Sequence, residues 1–267
     1  MKIAVAGLGA IGAEVVRRVS AGEIAGATIT AVSARDMASA PARIAALGSD
    51  APVAALEDLA AAADVVVESV PSKHFGALAQ SVLGAGKTLM ALSVGALLDR
   101  MDLVDLAAER GGRIIVPSGA LLGLDAVRAA AAGDIACVTM ITRKPPAGLA
   151  GAPLVVDKGI DLEGLTEPLL LFSGAASEAV RHFPANVNVA AALALAGVGP
   201  QRTRVEVWAD PAIDRNTHTI RVESDSARLE MTIANIPTAA NPRTGRIVAQ
   251  SVMAALRRLV DPLVVGS

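Results

Sequence analysis

The first 117 residues alternate short apolar runs with stretches rich in alanine and other strong helix formers. Runs that are apolar almost without interruption predict strands buried on both faces, which are typical of parallel sheets. Strands and helices alternating at this spacing predict an α/β unit with a doubly wound parallel sheet. The predicted strands cover residues 3–7, 29–34, 64–69, 88–93 and 113–118.

One of the helices between these strands has recognisable ends. Asp102 is its predicted N-cap, because a short acidic side chain accepts hydrogen bonds from the first amides of a helix. Gly111 is the predicted left-handed residue that ends it.

The pattern changes after about residue 117, where a helix is predicted over 125–132. An alternating strand is predicted at 135–142, and later three strands at 204–210, 217–223 and 228–234 are separated by short polar turns. Consecutive strands joined by short turns predict an antiparallel meander in a second α+β unit.

Asn241 and Pro242 have the order of an N-cap and a first helical residue, and the apolar face of the helix after them is expected to return to the first unit. We therefore predict one domain of residues 1–117 and 241–267 and a second of residues 118–240.

Composition narrows the chemistry and the partners. The 267-residue chain has no Tyr, one Trp and three Phe, which excludes a Tyr–Lys proton relay and an aromatic platform for stacked bases. With 24 basic and 26 acidic residues there is no basic field for nucleic acid. Pro and Asn interrupt the longest uncharged stretch, 183–201, and the N-terminus enters a strand pattern at once. We expect a cytoplasmic protein with neither a nucleic-acid nor a membrane partner.

Cys137 is the only cysteine, so an intrachain disulfide and a multi-thiolate metal site are excluded, and we predict no metal. Cys137 lies in an alternating apolar run, which favours a buried and inert thiol.

Three glycines form G-x-G-x-x-G between the first strand and an amphipathic helix. Gly7 would permit the tight turn, Gly9 would let a pyrophosphate approach the backbone, and Gly12 would let the helix pack on the strand. The helix N-terminus supplies amide donors for the phosphates. We predict that NAD or NADP binds here and contacts these glycines and Ile11.

An NAD site usually has an acidic residue about 20 positions beyond the glycines, where it binds the ribose 2′-hydroxyl. Arg35 follows Ser33 and Ala34 at that place, and Asp36 comes one position later. An Arg beside a small hydroxyl residue suits the 2′-phosphate of NADP, whereas Asp36 would suit NAD. We assign Arg35 to the cofactor site and leave both cofactors open.

Of the three histidines, His74 and His182 lie at ends of predicted helices, where surface or capping roles are expected. His218 lies in a predicted strand with Asn216, Ile220 and Val222 on its face.

A hydrogen-bonded core histidine and a catalytic base are both consistent with that position of His218. Asp210 and Asn216 lie near it in the sequence and could orient the imidazole of a base.

Two further pairs could meet ligands. Asn186 and Asn188 open a helix, where one suffices as its cap, so the other could bind a carboxamide or a carboxylate. Arg143 and Lys144 follow a strand and could meet an anionic substrate, although solvated loop charges are the alternative.

Seven segments, spread in order over essentially the whole chain, together resemble the L-aspartate dehydrogenase family. They are GLGAIG at 7–12, SVGAL at 93–97, PSGALLGLDA at 117–126, TRKPP at 142–146, FPANVNVAA at 183–191, the DP…RNTH stretch at 210–218 and NPRTG at 241–245.

The resemblance implies a Rossmann domain completed by the C-terminal helix and a catalytic α/β domain that makes oligomer contacts. It also implies NAD(P)-dependent oxidation of L-aspartate to iminoaspartate, which hydrolyses to oxaloacetate and ammonia or feeds NAD synthesis. By motif position His218 would be the active-site histidine, and Ala120 and Asn188 would contact the cofactor. The segment 66–75 departs from the small-residue run of related chains.

Two other hypotheses on function stay open. Another Rossmann dehydrogenase, acting on a semialdehyde or a sugar, would have the same two-domain architecture, although Lys73 lacks the E-K-P context of the sugar enzymes. A non-catalytic dinucleotide sensor would share only the glycine turn. An exposed sheet face in the second domain would favour a homodimer or a higher homo-oligomer.

Overall fold

The computed structural model describes residues 1–183, 187–238 and 245–266. The chain forms two compact units. The first is Met1–Gly119 with Val248–Val264, and the second is Ala120–Ile247 with Val265–Ser267. The domain limits predicted at residues 117 and 241 are close to these limits but do not coincide with them.

A five-stranded parallel sheet forms the centre of the first unit, with the strand order β2-β1-β3-β4-β5. The predicted doubly wound sheet is confirmed. Its strands are β1 Lys2–Ala6, β2 Thr28–Ser33, β3 Val65–Glu68, β4 Thr88–Ala91 and β5 Arg113–Ile115.

The order of the strands explains where a ligand can bind. Successive strands extend the sheet from β1 in both directions, so the chain reverses its direction of winding between β1 and β3. Val53 makes one parallel bridge to Val32 beyond β2, and among the described residues this bridge alone stands in the place of a further strand on that side. With this bridge counted, the order is that of the Rossmann fold.

Helices cover the sheet because their apolar stripes pack on the buried strands. They are α1 Ala10–Ser20, α2 Ala40–Ala46, α3 Leu59–Ala62, α4 Phe75–Gly84, α5 Val94–Leu98 and α6 Asp102–Arg110, with short 3-10 turns at Leu56–Asp58 and Ser72–His74.

Of the two predicted ends of α6, the C-terminal one is confirmed and the N-terminal one is wrong. Gly111 follows it at φ 68°, as predicted. Asp102 is not its N-cap, because Met101 takes that position and the Asp102 carboxylate pairs with Arg100 at 2.7 Å instead.

A mixed five-stranded sheet forms the second unit, with the order β10-β9-β6-β8-β7. Its strands are β6 Ile135–Lys144, β7 Leu169–Ala175, β8 Thr203–Ala209, β9 Thr217–Ser224 and β10 Arg228–Ala234. Strand β7 was not predicted. The largely antiparallel character is confirmed, since three of the four strand pairings in this sheet are antiparallel and the pairing of β6 with β8 is parallel.

The predicted meander is confirmed for β9 and β10, which pair antiparallel, and is wrong for β8 and β9, which are not neighbours. Strand β6 lies between them, parallel to β8 and antiparallel to β9. Passing one strand requires about 10 Å, which the connection of residues 210–216 spans easily. A short loop therefore does not by itself establish a hairpin.

Helices α7, α9 and α10 cover one face of this sheet, and their alanines and leucines share a core with its inward side chains. The helices of this unit are α7 Leu124–Ala130, α8 Pro153–Asp157, α9 Ala176–His182 and α10 Val187–Ala196, with a 3-10 turn at Pro146–Gly148.

Cys137 is exposed, so the predicted buried thiol is wrong. A register shift between Ile135 and Cys137 interrupts the alternation of β6 on β9. Ile135 and Val138 are both buried as a result, and Cys137 lies on the outer face, 3.5 Å from the Thr139 hydroxyl.

The last helix, α11 Ile247–Arg257, belongs to the first unit from Val248 onward. Val252, Met253 and Leu256 are buried in the same core as β1 and α1, which confirms that this helix completes the Rossmann unit. The predicted cap at 241–242 lies outside the described residues. Within the described part of the chain, no helix has both the length and the apolar character that crossing a bilayer requires.

Candidate active site

The glycine turn lies between β1 and α1, at the point where the winding reverses. Gly7 has φ 101°, a left-handed conformation that favours glycine, and its amide donates to the Ser33 carbonyl at 2.8 Å. A Cβ at Gly7 would lie 2.6 Å from the Ser69 carbonyl oxygen. The turn is therefore held against the ends of both β2 and β3.

Gly12 is enclosed by its own turn. A Cβ there would overlap the Gly7 carbonyl and would lie 2.7 Å from the Ser69 hydroxyl. That hydroxyl donates to the Ala6 and Gly7 carbonyls at 2.9 and 3.0 Å. Close packing of the helix on the strand thus excludes any side chain at Gly12.

Gly9 is different, because nothing in the described chain lies within 4 Å of the Cβ it lacks. Its φ of −75° is accessible to any residue, so neither space nor strain within the chain requires glycine here. Gly9 is also the N-cap of α1, whose first turn carries no acidic residue and whose cap makes no side-chain hydrogen bond.

An open approach to uncapped helix amides is what a pyrophosphate needs, so the residues present fit the predicted dinucleotide. Ile11, half-buried in the first turn of α1, and the three glycines stay predicted contacts.

The loop after β2 presents Arg35 as an exposed side chain. Asp36 turns toward its own loop, where its carboxylate accepts from the Ala38 and Ser39 amides at 3.1 and 3.2 Å and from the Ser39 hydroxyl at 2.6 Å. The hydroxyl bond is the first cause that lowers the pKa of Asp36 below its ordinary value.

Glu68, at the end of β3, is a buried carboxyl that the sequence analysis did not identify. It is 0% exposed and accepts from the Leu92 amide at 3.0 Å, from Ser93 through both its amide at 2.8 Å and its hydroxyl at 2.9 Å, and from the Val70 amide at 3.2 Å. Burial raises the pKa of Glu68, although these donors act against it. Glu68 thus joins the divergent segment 66–75 to the end of β4.

In the second unit, His218 is the buried titratable group of β9, only 4% exposed. The strand register sets it opposite Thr142, whose hydroxyl lies 3.0 Å from Nδ1. Ile220 and Val222 share its inward face, as predicted. The partner of Nδ1 is Thr142 and not Asp210 or Asn216, because pairing of β6 with β9 decides which side chains meet.

Burial, and after it the charge of Lys144, lowers the pKa of His218 from 6.5 to about 4. The imidazole is therefore neutral at pH 7.

Lys144 is the last residue of β6 and is 7% exposed, so it is neither in a loop nor solvated. It shares the inward face of β6 with Thr142. Arg143 points outward, donates to Asp210 at 2.9 Å and lies 4.9 Å from the centre of the Trp208 ring. Because β6 continues through both residues, its alternation places Arg143 and Lys144 on opposite faces, so they do not act as a pair.

The comparisons with known proteins agree with this division. Residues 7–117 match the family model "Homoserine dehydrogenase, NAD binding domain", and residues 125–259 match "Aspartate dehydrogenase, C-terminal". L-aspartate dehydrogenase 3 of Bordetella bronchiseptica is 53% identical over 265 residues, 99% of this chain and 97% of that protein. The chain belongs to the L-aspartate dehydrogenase family.

Similarity to the family extends over large evolutionary distances. L-aspartate dehydrogenase of Methanosarcina acetivorans is 41% identical over all of both chains. The crystal structure of aspartate dehydrogenase from Thermotoga maritima has a TM-score of 0.78 and 25% identity over 100% of this chain and 99% of that one. Scyllo-inositol dehydrogenase of Lactobacillus casei has a TM-score of 0.54 at 15% identity, over 97% and 88%, which shows the shared fold alone.

The remaining residues of the family motifs lie as follows. The carbonyl of Ala120 accepts from the Asn235 side-chain amide at 3.2 Å. Asn188 is an exposed residue of the first turn of α10. Their contacts to the cofactor stay predictions, and Asn186 lies outside the described residues. His74 is exposed and His182 lies 5.6 Å from the Phe172 ring.

Proposed function

We propose that this chain is an NAD(P)-dependent L-aspartate dehydrogenase, which oxidises L-aspartate to iminoaspartate. The observation that carries the proposal is the buried, neutral imidazole of His218, in the part of the chain that matches the aspartate dehydrogenase C-terminal model. When bound, the dinucleotide supplies the hydride acceptor. Iminoaspartate then hydrolyses to oxaloacetate and ammonia or is used for NAD synthesis.

His218 acts as the general base. The substrate ammonium must lose a proton before hydride leaves Cα, because the nitrogen lone pair forms the new C=N bond. Thr142 fixes the ring orientation through its hydroxyl, 3.0 Å from Nδ1. In the tautomer whose Nδ1–H donates to that hydroxyl, the imidazole has a lone pair on Nε2 that can accept this proton.

Lys144 supports this role through its charge. A cation beside the imidazole disfavours imidazolium, so the ring is neutral and able to accept a proton at pH 7, while the lowered pKa also makes it a weaker base. A positive charge buried near the base also suits a substrate with two carboxylates, since ion pairing in a partly desolvated site is stronger than in water.

The test of the activity is a panel of L-aspartate, D-aspartate, L-glutamate and L-alanine with each cofactor, followed by the absorbance of reduced nicotinamide. L-aspartate should give the signal. Cofactor binding without a signal from any amino acid would instead identify a dinucleotide sensor.

Gly9→Ala tests the dinucleotide site separately. A methyl group at Gly9 meets nothing in the described part of the chain, so Tm should stay within about 1 °C, but it would obstruct a pyrophosphate. We expect at least tenfold weaker cofactor binding by calorimetry. Unchanged affinity would remove Gly9 from the site.

Assembly and location are part of the proposal. The outer face of the second sheet carries polar pairs such as Thr219 with Thr232 at 2.8 Å, and we propose that it meets a second copy of the chain in a homodimer or larger oligomer of the cytoplasm. Light scattering during gel filtration checks the mass, and Thr219→Arg should lower it if this face is the interface.

A further inference from the structure

The loop that follows β2 is joined to the glycine turn. The Gly7 amide donates to the Ser33 carbonyl at 2.8 Å. When the phosphates of a dinucleotide lie on the turn, the group next to them therefore lies at this loop. In Rossmann sites that group is the adenosine ribose, whose 2′ substituent distinguishes NAD from NADP.

Asp36 is poorly placed to select NAD. Selection requires a carboxylate that accepts from ribose hydroxyls. One Asp36 oxygen accepts from the Ala38 and Ser39 amides and the other accepts from the Ser39 hydroxyl. A carboxylate has about four acceptor sites, so Asp36 would have to give up one of these hydrogen bonds to accept from both ribose hydroxyls.

Arg43 reaches the same place from α2. Its Nη2 donates to the Leu8 carbonyl at 2.6 Å, which brings the guanidinium to the glycine turn. Its charge is also one cause, the smallest, of the lowered Asp36 pKa, after the hydrogen bonds from Ser39. The guanidinium therefore lies close to both the turn and the loop that carries Arg35. Arginine has five donors, more than one carbonyl uses.

We infer that Arg43, together with Arg35, binds the 2′-phosphate of NADP and makes this chain prefer NADP to NAD. The inference rests on the proposed dinucleotide site. A guanidinium makes charge-assisted and often bidentate hydrogen bonds to a phosphate, whereas a ribose hydroxyl offers it one neutral acceptor. The residues at the end of β2 do not predict a role for Arg43, because Arg43 is eight residues beyond Arg35 and lies on a helix.

The experiment measures dissociation constants for NADP and NAD by calorimetry, without substrate, so it does not depend on turnover. Wild type should bind NADP more tightly. Arg43→Gln should weaken NADP binding about tenfold to hundredfold and NAD binding less than about threefold. Arg35→Gln should act in the same direction. Arg110→Gln, which removes an exposed charge elsewhere in the first unit, should change neither.

Three outcomes would overturn the inference. If Arg43→Gln weakened both cofactors equally, Arg43 would only stiffen the turn through Leu8. Tighter binding of NAD than NADP by wild type would reject the preference and leave the dinucleotide site intact. Binding of neither would reject the dinucleotide site itself.

Asp36→Asn gives an independent measurement. Asn retains the oxygen that accepts from the loop amides, so the loop should keep its shape. NAD affinity should stay within about threefold, and NADP should bind slightly more tightly because a negative charge has gone. A tenfold loss of NAD affinity would show that Asp36 binds the ribose and would overturn the inference.

Discussion

The two units build their candidate sites in opposite ways. In the first unit the glycine turn is made of backbone from six consecutive positions, Gly7 to Gly12, and its only demands are the absence of side chains and a free helix end. In the second unit the His218 site is made of side chains 76 residues apart, which meet because β6 pairs with β9 in one register.

The difference extends to the buried titratable groups. Glu68 has four donors to its carboxylate, from residues near the ends of β3 and β4, and so has a largely structural environment. His218 has one hydrogen bond and a nearby cation that opposes its protonation. A buried group that is satisfied on all sides holds the fold, whereas one with a spare lone pair can do chemistry.

The largest expected effect is on His218. His218→Gln removes the proposed base but retains a polar group near Thr142, and kcat should fall 10²–10⁴-fold, as loss of general acid–base catalysis does. The Kd of the cofactor, measured by calorimetry, should not change. Steady-state kinetics at saturating cofactor give kcat.

Lys158→Gln is the control, because Lys158 is an exposed residue of the same unit that follows α8 and is not part of the sheet. It should leave kcat within about twofold, since substitutions at exposed positions have small effects. A His218→Gln enzyme that kept its kcat would make His218 a core residue and no more.

The contrast explains what could be predicted. Strands and helices of the first unit follow from local runs of apolar residues, and the glycine turn is contiguous, so the sequence alone was enough to locate both. The inward face of β9 was also predictable, because alternation is a local pattern. Ile220 and Val222 confirm it for His218.

Partners across strands were not predictable, because they depend on pairing. Asp210 and Asn216 are near His218 in sequence, yet Thr142 is its hydrogen-bond partner. Strand β6 passes between β8 and β9, and no local pattern records that. The burial of Lys144 shows the same limit, since the predicted strand ended at 142 and the real one continues to 144.

The second largest effect is expected at the turn. Gly12→Ala sets a methyl group against the Gly7 carbonyl, which is backbone and cannot rotate away. We expect a loss of about 3 kcal/mol in unfolding free energy and a Tm lower by roughly 6–12 °C. Thermal unfolding by circular dichroism measures it, with Gly9→Ala as the control that keeps its Tm. Equal Tm values for both variants would contradict the distinction between an enclosed and an open glycine.

A smaller effect is expected from Lys144→Met. The Lys144 charge lowers the pKa of His218, so its removal should raise that pKa from about 4 toward the ordinary value. The base is then protonated at a higher pH, and the acidic limb of kcat/KM should move toward neutrality. A profile from pH 4 to 9 measures the shift, and the titration of the substrate is common to both enzymes. A limb that moved to lower pH would contradict the proposed role of Lys144.

The smallest effect is expected on the outer face of β6, where Cys137 lies. Two residues of β6 that point to opposite faces should respond differently to substitution. The Thr142 hydroxyl lies 3.0 Å from His218 on the inner face, and the Cys137 sulfur lies 3.5 Å from the Thr139 hydroxyl on the outer face. Cys137→Ser replaces one small polar side chain with another at an exposed position, so kcat and Tm should stay at wild-type values. A fall in kcat of Cys137→Ser would contradict the assignment of Cys137 to the outer face. Because alternation along β6 links the three residues, it would also contradict the assignment of Thr142 and Lys144 to the inner face beside His218.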